Sequence, residues 1–244
     1  MRHAAEIDPT EMRDPVLVAR SVVKAYGGTP AVRGVGLHVE RGEILTVTGP
    51  SGSGKSTLLL CLAGVLRPDA GSVVLRGRDG AEREVSAESE AARSKLRRMR
   101  FGVLFQFGQL VPELTAAENV AMPLLLEGSK RRPALAVARD WLERFDVADL
   151  ADVRPSEMSG GQAQRVAVAR AMVTEPEVLF ADEPTGALDT VSGDRVLGQL
   201  VRVVREAGTS VVLVTHDVRV AAHGDREVVV RDGVIAGYEL PVGA

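Results

Sequence analysis

Three short apolar runs, residues 44–48 (ILTVT), 178–181 (VLFA) and 211–215 (VVLVT), lack the polar and apolar alternation of a strand with one wet face. Strands covered by helices on both faces read this way, so the runs predict the core of a parallel sheet. Each is followed at once by polar residues of catalytic type: a glycine-rich loop, then Asp182 and Glu183, then His216 and Asp217. Ligands of open α/β sheets sit beyond the carboxyl ends of the strands. Three segments far apart in sequence are therefore expected to meet.

The remaining pattern is more varied. Residues 16–23 and 37–39 are β-rich, with Tyr26-Gly27-Gly28 in the loop between them, and residues 73–75 read as a short strand. Residues 58–65 read as a helix, and residues 81–100, dense in Arg and Glu, as a turn and a solvated helix without functional weight. From 114 to 150 helical spacing dominates: 117–126 is apolar, and 134–145 is amphipathic, with Trp141 and Phe145 on one face as core anchors. This predicts a helical subdomain inserted at about residues 107–158. Residues 227–235 predict a hairpin around Asp232-Gly233, a type I′ pair. Residues 1–14 read as a disordered tail ahead of a single domain at 15–240, with no C-terminal regulatory domain expected.

Composition narrows the function classes. A chain of 244 residues accommodates one α/β domain with an inserted subdomain, not two full nucleotide-binding units. Formal net charge is −3 with both signs spread along the chain, so nucleic acid is not an expected partner. Cys61 is the only cysteine and sits among apolar residues, as a core residue in a reducing compartment would. The N-terminus lacks the apolar core of a signal peptide, and no run approaches the roughly 20 residues needed to span a bilayer. A cytoplasmic location is expected, with any membrane role exercised through a partner.

The loop Gly49-Pro50-Ser51-Gly52-Ser53-Gly54-Lys55-Ser56-Thr57 follows the first apolar run and opens a helix, the setting of a phosphate-binding loop. Its glycines let backbone N–H groups point inward, and the helix's positive end adds to a polyphosphate site. Lys55 is expected to reach the β/γ-phosphates and Ser56 to hold Mg²⁺. Asp182 is placed to hold the same ion through water, and Glu183 to polarise an attacking water. Taken alone, the two acids could equally complement a helix dipole.

Ser159-Gly160-Gly161-Gln162 opens a second helix. Ser159 and Gln162 are spaced for a capping box, which meets the structural need. Two glycines in the first turn nevertheless cost about 1 kcal/mol each. That cost points to close approach of an anionic ligand. One nucleotude's phosphates need a single such loop, so the second helix end is expected to serve the nucleotide of another molecule.

The phosphate loop, Gln106, the MSGGQ segment from Met158 to Gln162, the strand ending in Asp182-Glu183, Ala187-Leu188-Asp189 and His216 follow one another as in the ATP-binding cassette (ABC) ATPases. The chain resembles that family from about residue 16 to 237. The resemblance implies a P-loop ABC ATPase core with a parallel sheet, an N-terminal antiparallel β subdomain and an inserted helical subdomain. It implies Mg²⁺-dependent ATP hydrolysis in a head-to-tail homodimer that sandwiches two ATP molecules. On the same ground Tyr26 stacks on adenine, Gln106 contacts Mg²⁺ and the attacking water, and His216 contacts the γ-phosphate. Asp189 lines the dimer interface, and Ser159-Gly160-Gly161-Gln162 binds the partner's γ-phosphate. Met158 stands where the family usually has Leu, a volume-conserving change.

Residues 101–126 and the ADEPTGALD segment, 181–189, are similar to ATPases of lipoprotein-releasing, macrolide-export and antimicrobial-peptide systems. That branch implies a separate transmembrane permease, export, and a peripheral place on the cytoplasmic side of the cell membrane. The permease's coupling helix would meet the chain near Phe107, Leu110 and Leu114. Some relatives of this branch instead gate a membrane protein without moving cargo. Soluble relatives of DNA repair or translation carry long heptad insertions or a second cassette, which this chain lacks.

Overall fold

The structure, a computed structural model, describes residues 14–106 and 109–236. The expected tail up to residue 13, His3 and Phe107 lie outside the described residues. At the N-terminus the chain forms one long hairpin, β1 (Pro15–Tyr26) and β2 (Thr29–Glu40), turned by Gly27 and Gly28 at φ 55° and 85°. The second strand is thus much longer than the 37–39 patch read from sequence. Pro30, Gly34 and Gly36 interrupt its apolar pattern, and the pairing there passes through register shifts. Turn and strand share one stretch, which no alternation reveals.

After β3 (Ile44–Thr48), helix α1 (Lys55–Leu62) starts three residues earlier than predicted, inside the glycine-rich loop. Next come β4 (Ala70–Arg76), β5 (Glu82–Glu84) and α2 (Glu90–Met99). The three charged residues of β5 carry no apolar signal, and they sit on a sheet edge where charge discourages further pairing. β6 (Phe101–Leu104) leads to α3 (Ala116–Leu126), α4 (Arg131–Arg144), two short 3₁₀ turns, and α5 (Gly160–Met172). The chain continues as β7 (Val178–Asp182), α6 (Thr190–Ala207), β8 (Ser210–Val214), α7 (Val218–Ala221), β9 (Arg226–Arg231) and β10 (Val234–Ile235).

Two sheets result. The antiparallel one runs β2-β1-β4-β5, and the larger runs β10-β9-β3-β8-β7-β6 with every neighbouring pair parallel except β10 with β9. The three predicted runs are adjacent in it, β8 lying between β3 and β7. Val47, Val214 and Asp182 form a row across these strands, so their carboxyl ends finish level. Between the sheets, α1 buries Leu58, Leu59, Cys61 and Leu62. A second core lies beneath α3, α4, α5 and α6. There Trp141 stacks on Phe145 with ring centroids 6.4 Å apart. Asn119 is fully buried, and its amide bonds the backbone of Val111, Leu114 and Thr115, fixing the entry to α3.

α2, β6, α3 and α5 surround a cleft of about 540 Å³ lined by Phe101, Val103, Phe105, Met122 and Leu126, with Arg97, Arg98 and Arg170 at its polar side. Leu126 is 64% exposed. Leu110 and Leu114, expected from sequence at such a groove, do not line it; Leu110 packs against the helical core.

The seam between the sheets is electrostatic. Glu177, 4% exposed, accepts from the Arg100 guanidinium and from the backbone N–H of Arg78 at 2.7 Å, with Arg41 3.7 Å away. Removing one partner strands a buried charge. Glu177→Ala is expected to lower stability by about 2 kcal/mol in urea unfolding.

Candidate active site

The loop after β3 is built from backbone rather than side chains. Gly49, Gly52 and Gly54 take φ of 140°, 77° and 100°, which favour glycine. A Cβ on Gly49 would lie 2.0 Å from the Val230 carbonyl oxygen, and one on Gly54 2.2 Å from that of Ala31. The loop is therefore wedged between β9 and β2. Gly233 N–H donates to the Ser53 carbonyl at 2.9 Å, so the β9–β10 hairpin also pins the loop. Sequence reasoning missed this support, because a contact between residues so far apart leaves no local pattern.

α1 has no side-chain cap at Gly54, which leaves its first-turn amides for a ligand. Lys55, 7% exposed, arches back over the loop and donates to the carbonyls of Gly49 and Pro50, both at 2.8 Å. Ser53 is buried and its hydroxyl lacks a partner. Pro50, Ser51 and Ser56 are exposed, and Thr57 is half-buried. Tyr26, 51% exposed, ends β1 on the hairpin whose Ala31 abuts the loop.

Asp182 ends β7 half-buried. Burial pushes its carboxyl above the usual range, opposed by a hydrogen bond with Ser56 and by Lys55, and reinforced by Glu183. Its Oδ1 is buried without a hydrogen-bond partner. An unsatisfied carboxylate oxygen beside a serine hydroxyl suits a hard cation. Among the described residues no group of three or more His, Cys, Asp or Glu is placed to hold a metal ion.

Glu183 stands at φ 50°, a left-handed conformation that costs of order 1–3 kcal/mol and persists only where neighbours impose it. Its N–H donates to the Val214 carbonyl at 2.9 Å, and Gly186 N–H donates to its own carbonyl at 3.0 Å. Its Oε1 lies 2.6 Å from His216 Nδ1. From a Cβ placed on Gly186, Glu183 Oε2 would be 3.2 Å away and Gln106 Nε2 3.3 Å away. The Glu183 carboxylate thus has the imidazole at one oxygen and lies with the Gln106 carboxamide beside Gly186; Glu183, His216 and Asp189 line a cleft of about 150 Å³. A second cavity, about 650 Å³, runs from Gly49 and Pro50 past His216 to Glu227.

The Ser159–Gln162 end faces other neighbours. Ser159 Oγ accepts from Gln162 N–H at 3.3 Å, and Gln162 Oε1 accepts from Ser159 N–H at 2.8 Å, completing the capping box. A Cβ on Gly160 would lie 3.3 Å from Leu188, and one on Gly161 3.4 Å from Ser192. A side chain can meet both distances, so packing within the chain does not by itself require glycine at either position. Asp189 is exposed and caps α6 by accepting from Ser192 N–H at 3.0 Å; a hydrogen bond from the Ser192 hydroxyl, and then this one, hold its carboxyl below the usual range.

The family model described as "ABC transporter" matches residues 32–186, well over half the chain. The chain belongs to the ABC transporter family. It is 45% identical to the lipoprotein-releasing system ATP-binding protein LolD 2 of Caulobacter vibrioides, covering 91% of this chain and 97% of that protein. It is 38% identical to LolD of Porphyromonas gingivalis, covering 90% and 98%. Among solved structures it resembles the dimeric ATP-binding cassette MJ0796 in a post-hydrolysis state bound to ADP and Pi. That match has a TM-score of 0.83 and 34% identity, covering 93% of this chain and all of that one. As an ABC ATPase the chain binds and hydrolyses ATP as the nucleotide-binding subunit of a transporter.

The raised pKa of Asp182 has a sign. Its contribution to stability is fully present below the unfolded carboxylate pKa, about 4, and is lost as pH rises through the higher folded value. In chelator without nucleotide, Asp182→Asn is expected to melt above wild type at neutral pH. The gap should close toward about pH 4 in thermal scans.

Proposed function

We propose that the chain works as a Mg²⁺-dependent, head-to-tail homodimer that energises a separate transmembrane permease, an exporter of the lipoprotein-releasing type. The observation that carries the catalytic part is the contact of Glu183 with His216, which shares a cavity with Gly49 and Pro50 of the phosphate loop, and Gln106 lies near Gly186 beside them. ATP would lie along residues 49–57 with its adenine on Tyr26, and Lys55 would exchange its two loop carbonyls for phosphate oxygens. Ser56 and Asp182 would hold the magnesium ion, with Gln106 beside it; when bound, the ion neutralises charge developing on the phosphates.

Glu183 then orients the attacking water, and its bond to His216 keeps the carboxylate turned inward while the imidazole also reaches the γ-phosphate. Positioning and charge neutralisation supply most of the acceleration. Ser159, Gly160, Gly161 and Gln162 close over the nucleotide of the second subunit, with Asp189 at the interface. The α5 end has no acid in its first turn, which favours an anion there.

The permease reading rests on the names of the relatives and on the cleft between α2 and α3, whose apolar floor and exposed Leu126 suit an amphipathic segment. Among the described residues no helix is long and apolar enough to cross a membrane. As the ATP-binding subunit of such a system, the chain would act from the cytoplasmic side of the membrane, held there by the permease. The lipoprotein-releasing type is inferred from those relatives; cargo would be read by the permease itself.

Glu183→Gln is expected to keep ATP affinity while losing turnover by at least about a hundredfold, and to elute as a dimer with ATP in size-exclusion chromatography. Turnover at the wild-type rate would remove Glu183 as the base. Tagged Glu183→Gln protein should recover a multi-spanning permease from solubilised native membranes with ATP. Adding Leu126→Glu should abolish that recovery and leave ATP affinity unchanged.

A further inference from the structure

Helix α5 carries a polar residue where an apolar one would ordinarily sit. Gln164 is 5% exposed, and its Nε2 donates to the Pro184 carbonyl at 2.7 Å. A buried carboxamide is unfavourable unless it is bonded, so Gln164 is there for the bond it makes. Its acceptor is the carbonyl of Pro184, the residue directly after Glu183. The backbone N–H of Glu183 is taken by Val214 and its carbonyl by Gly186, while Pro184 has no N–H to offer. The Pro184 carbonyl is the point at which a side chain from another element grips this left-handed turn.

The first turn of the same helix also runs close to the segment following Glu183: a Cβ added to Gly160 would come within 3.3 Å of Leu188, and one on Gly161 within 3.4 Å of Ser192. One rigid helix therefore joins the chain's second anion-binding end, at Ser159–Gly161, to the turn that aims Glu183. We propose that Gln164 is a positioning residue. Its hydrogen bond to Pro184 holds Glu183 in its productive orientation and lets phosphate seated at the N-terminus of α5 influence water activation by the same chain. This rests on the reading of Glu183 as the base.

The test uses the full chain with ATP and Mg²⁺. Gln164→Met keeps the length and volume of the side chain but cannot donate. We expect kcat to fall about tenfold with KM for ATP within twofold, the split produced by misaiming a catalytic group rather than by losing nucleotide. In a Glu183→Gln background, Gln164→Met should lower residual turnover no further, since both changes act through one group. Unchanged kcat, a rise in KM alone, or the same fractional loss in both backgrounds would overturn the proposal. Wild-type turnover in Glu183→Gln alone would instead remove the reading beneath it, and that result is distinct because it does not involve Gln164.

If Gln164→Met proves unstable, Gln164→Glu supplies a second readout. Protonated, the new carboxyl can donate to the Pro184 carbonyl; ionised, it opposes an acceptor with an acceptor. Its kcat relative to wild type should fall as pH rises, and a pH-independent ratio would count against the proposal.

Discussion

The chemistry of this chain depends on the register of β8 between β3 and β7. Val47, Val214 and Asp182 share one row across the sheet, so the phosphate loop, His216 and Glu183 leave it at the same level. A slip of one residue would turn every side chain of a strand to the opposite face. It would also move a catalytic group by about 3.3 Å, more than a hydrogen bond tolerates. Register is held by buried side chains on both faces, Val212 toward α1 and Val211 and Leu213 toward the helical core. The apolar continuity of these strands and the alignment of the acid, the imidazole and the loop have one origin.

Much of this was legible in the chain, and for a physical reason. Doubly covered strands have to be apolar throughout, so residues 44–48, 178–181 and 211–215 stood out and proved adjacent. The glycine-rich loop was readable because backbone at positive φ constrains residue type directly. Glu183 and His216, read as the ends of two neighbouring strands, lie in hydrogen-bond contact. Less visible was whatever rests on contacts between distant segments. The hairpin β9–β10 holds the loop through Gly233, and the acceptors of Gln164 and Glu177 lie on other elements. β2 was hidden by its own proline and glycines, and the charged β5 by its place on an edge.

The site also shows a division of labour between burial and exposure. Asp182 is half withdrawn from water with one oxygen unsatisfied, whereas His216 stands largely in solvent and Asp189 is open. The inner groups are fixed by the sheet; the outer ones sit on surfaces that a second subunit can cover. The two acids differ accordingly: the first is partly desolvated, which raises its pKa, and the second is held in place by backbone geometry and an imidazole.

Lys55 carries a consequence of its own. With its ammonium bonded to the carbonyls of Gly49 and Pro50, the loop is folded around an internal cation. On the proposed reading a ligand would exchange two hydrogen bonds rather than add them, and a weakly charged one would gain little by doing so. The loop would then act as a threshold detector for charge, giving up its lysine only to a group anionic enough to outcompete two peptide oxygens.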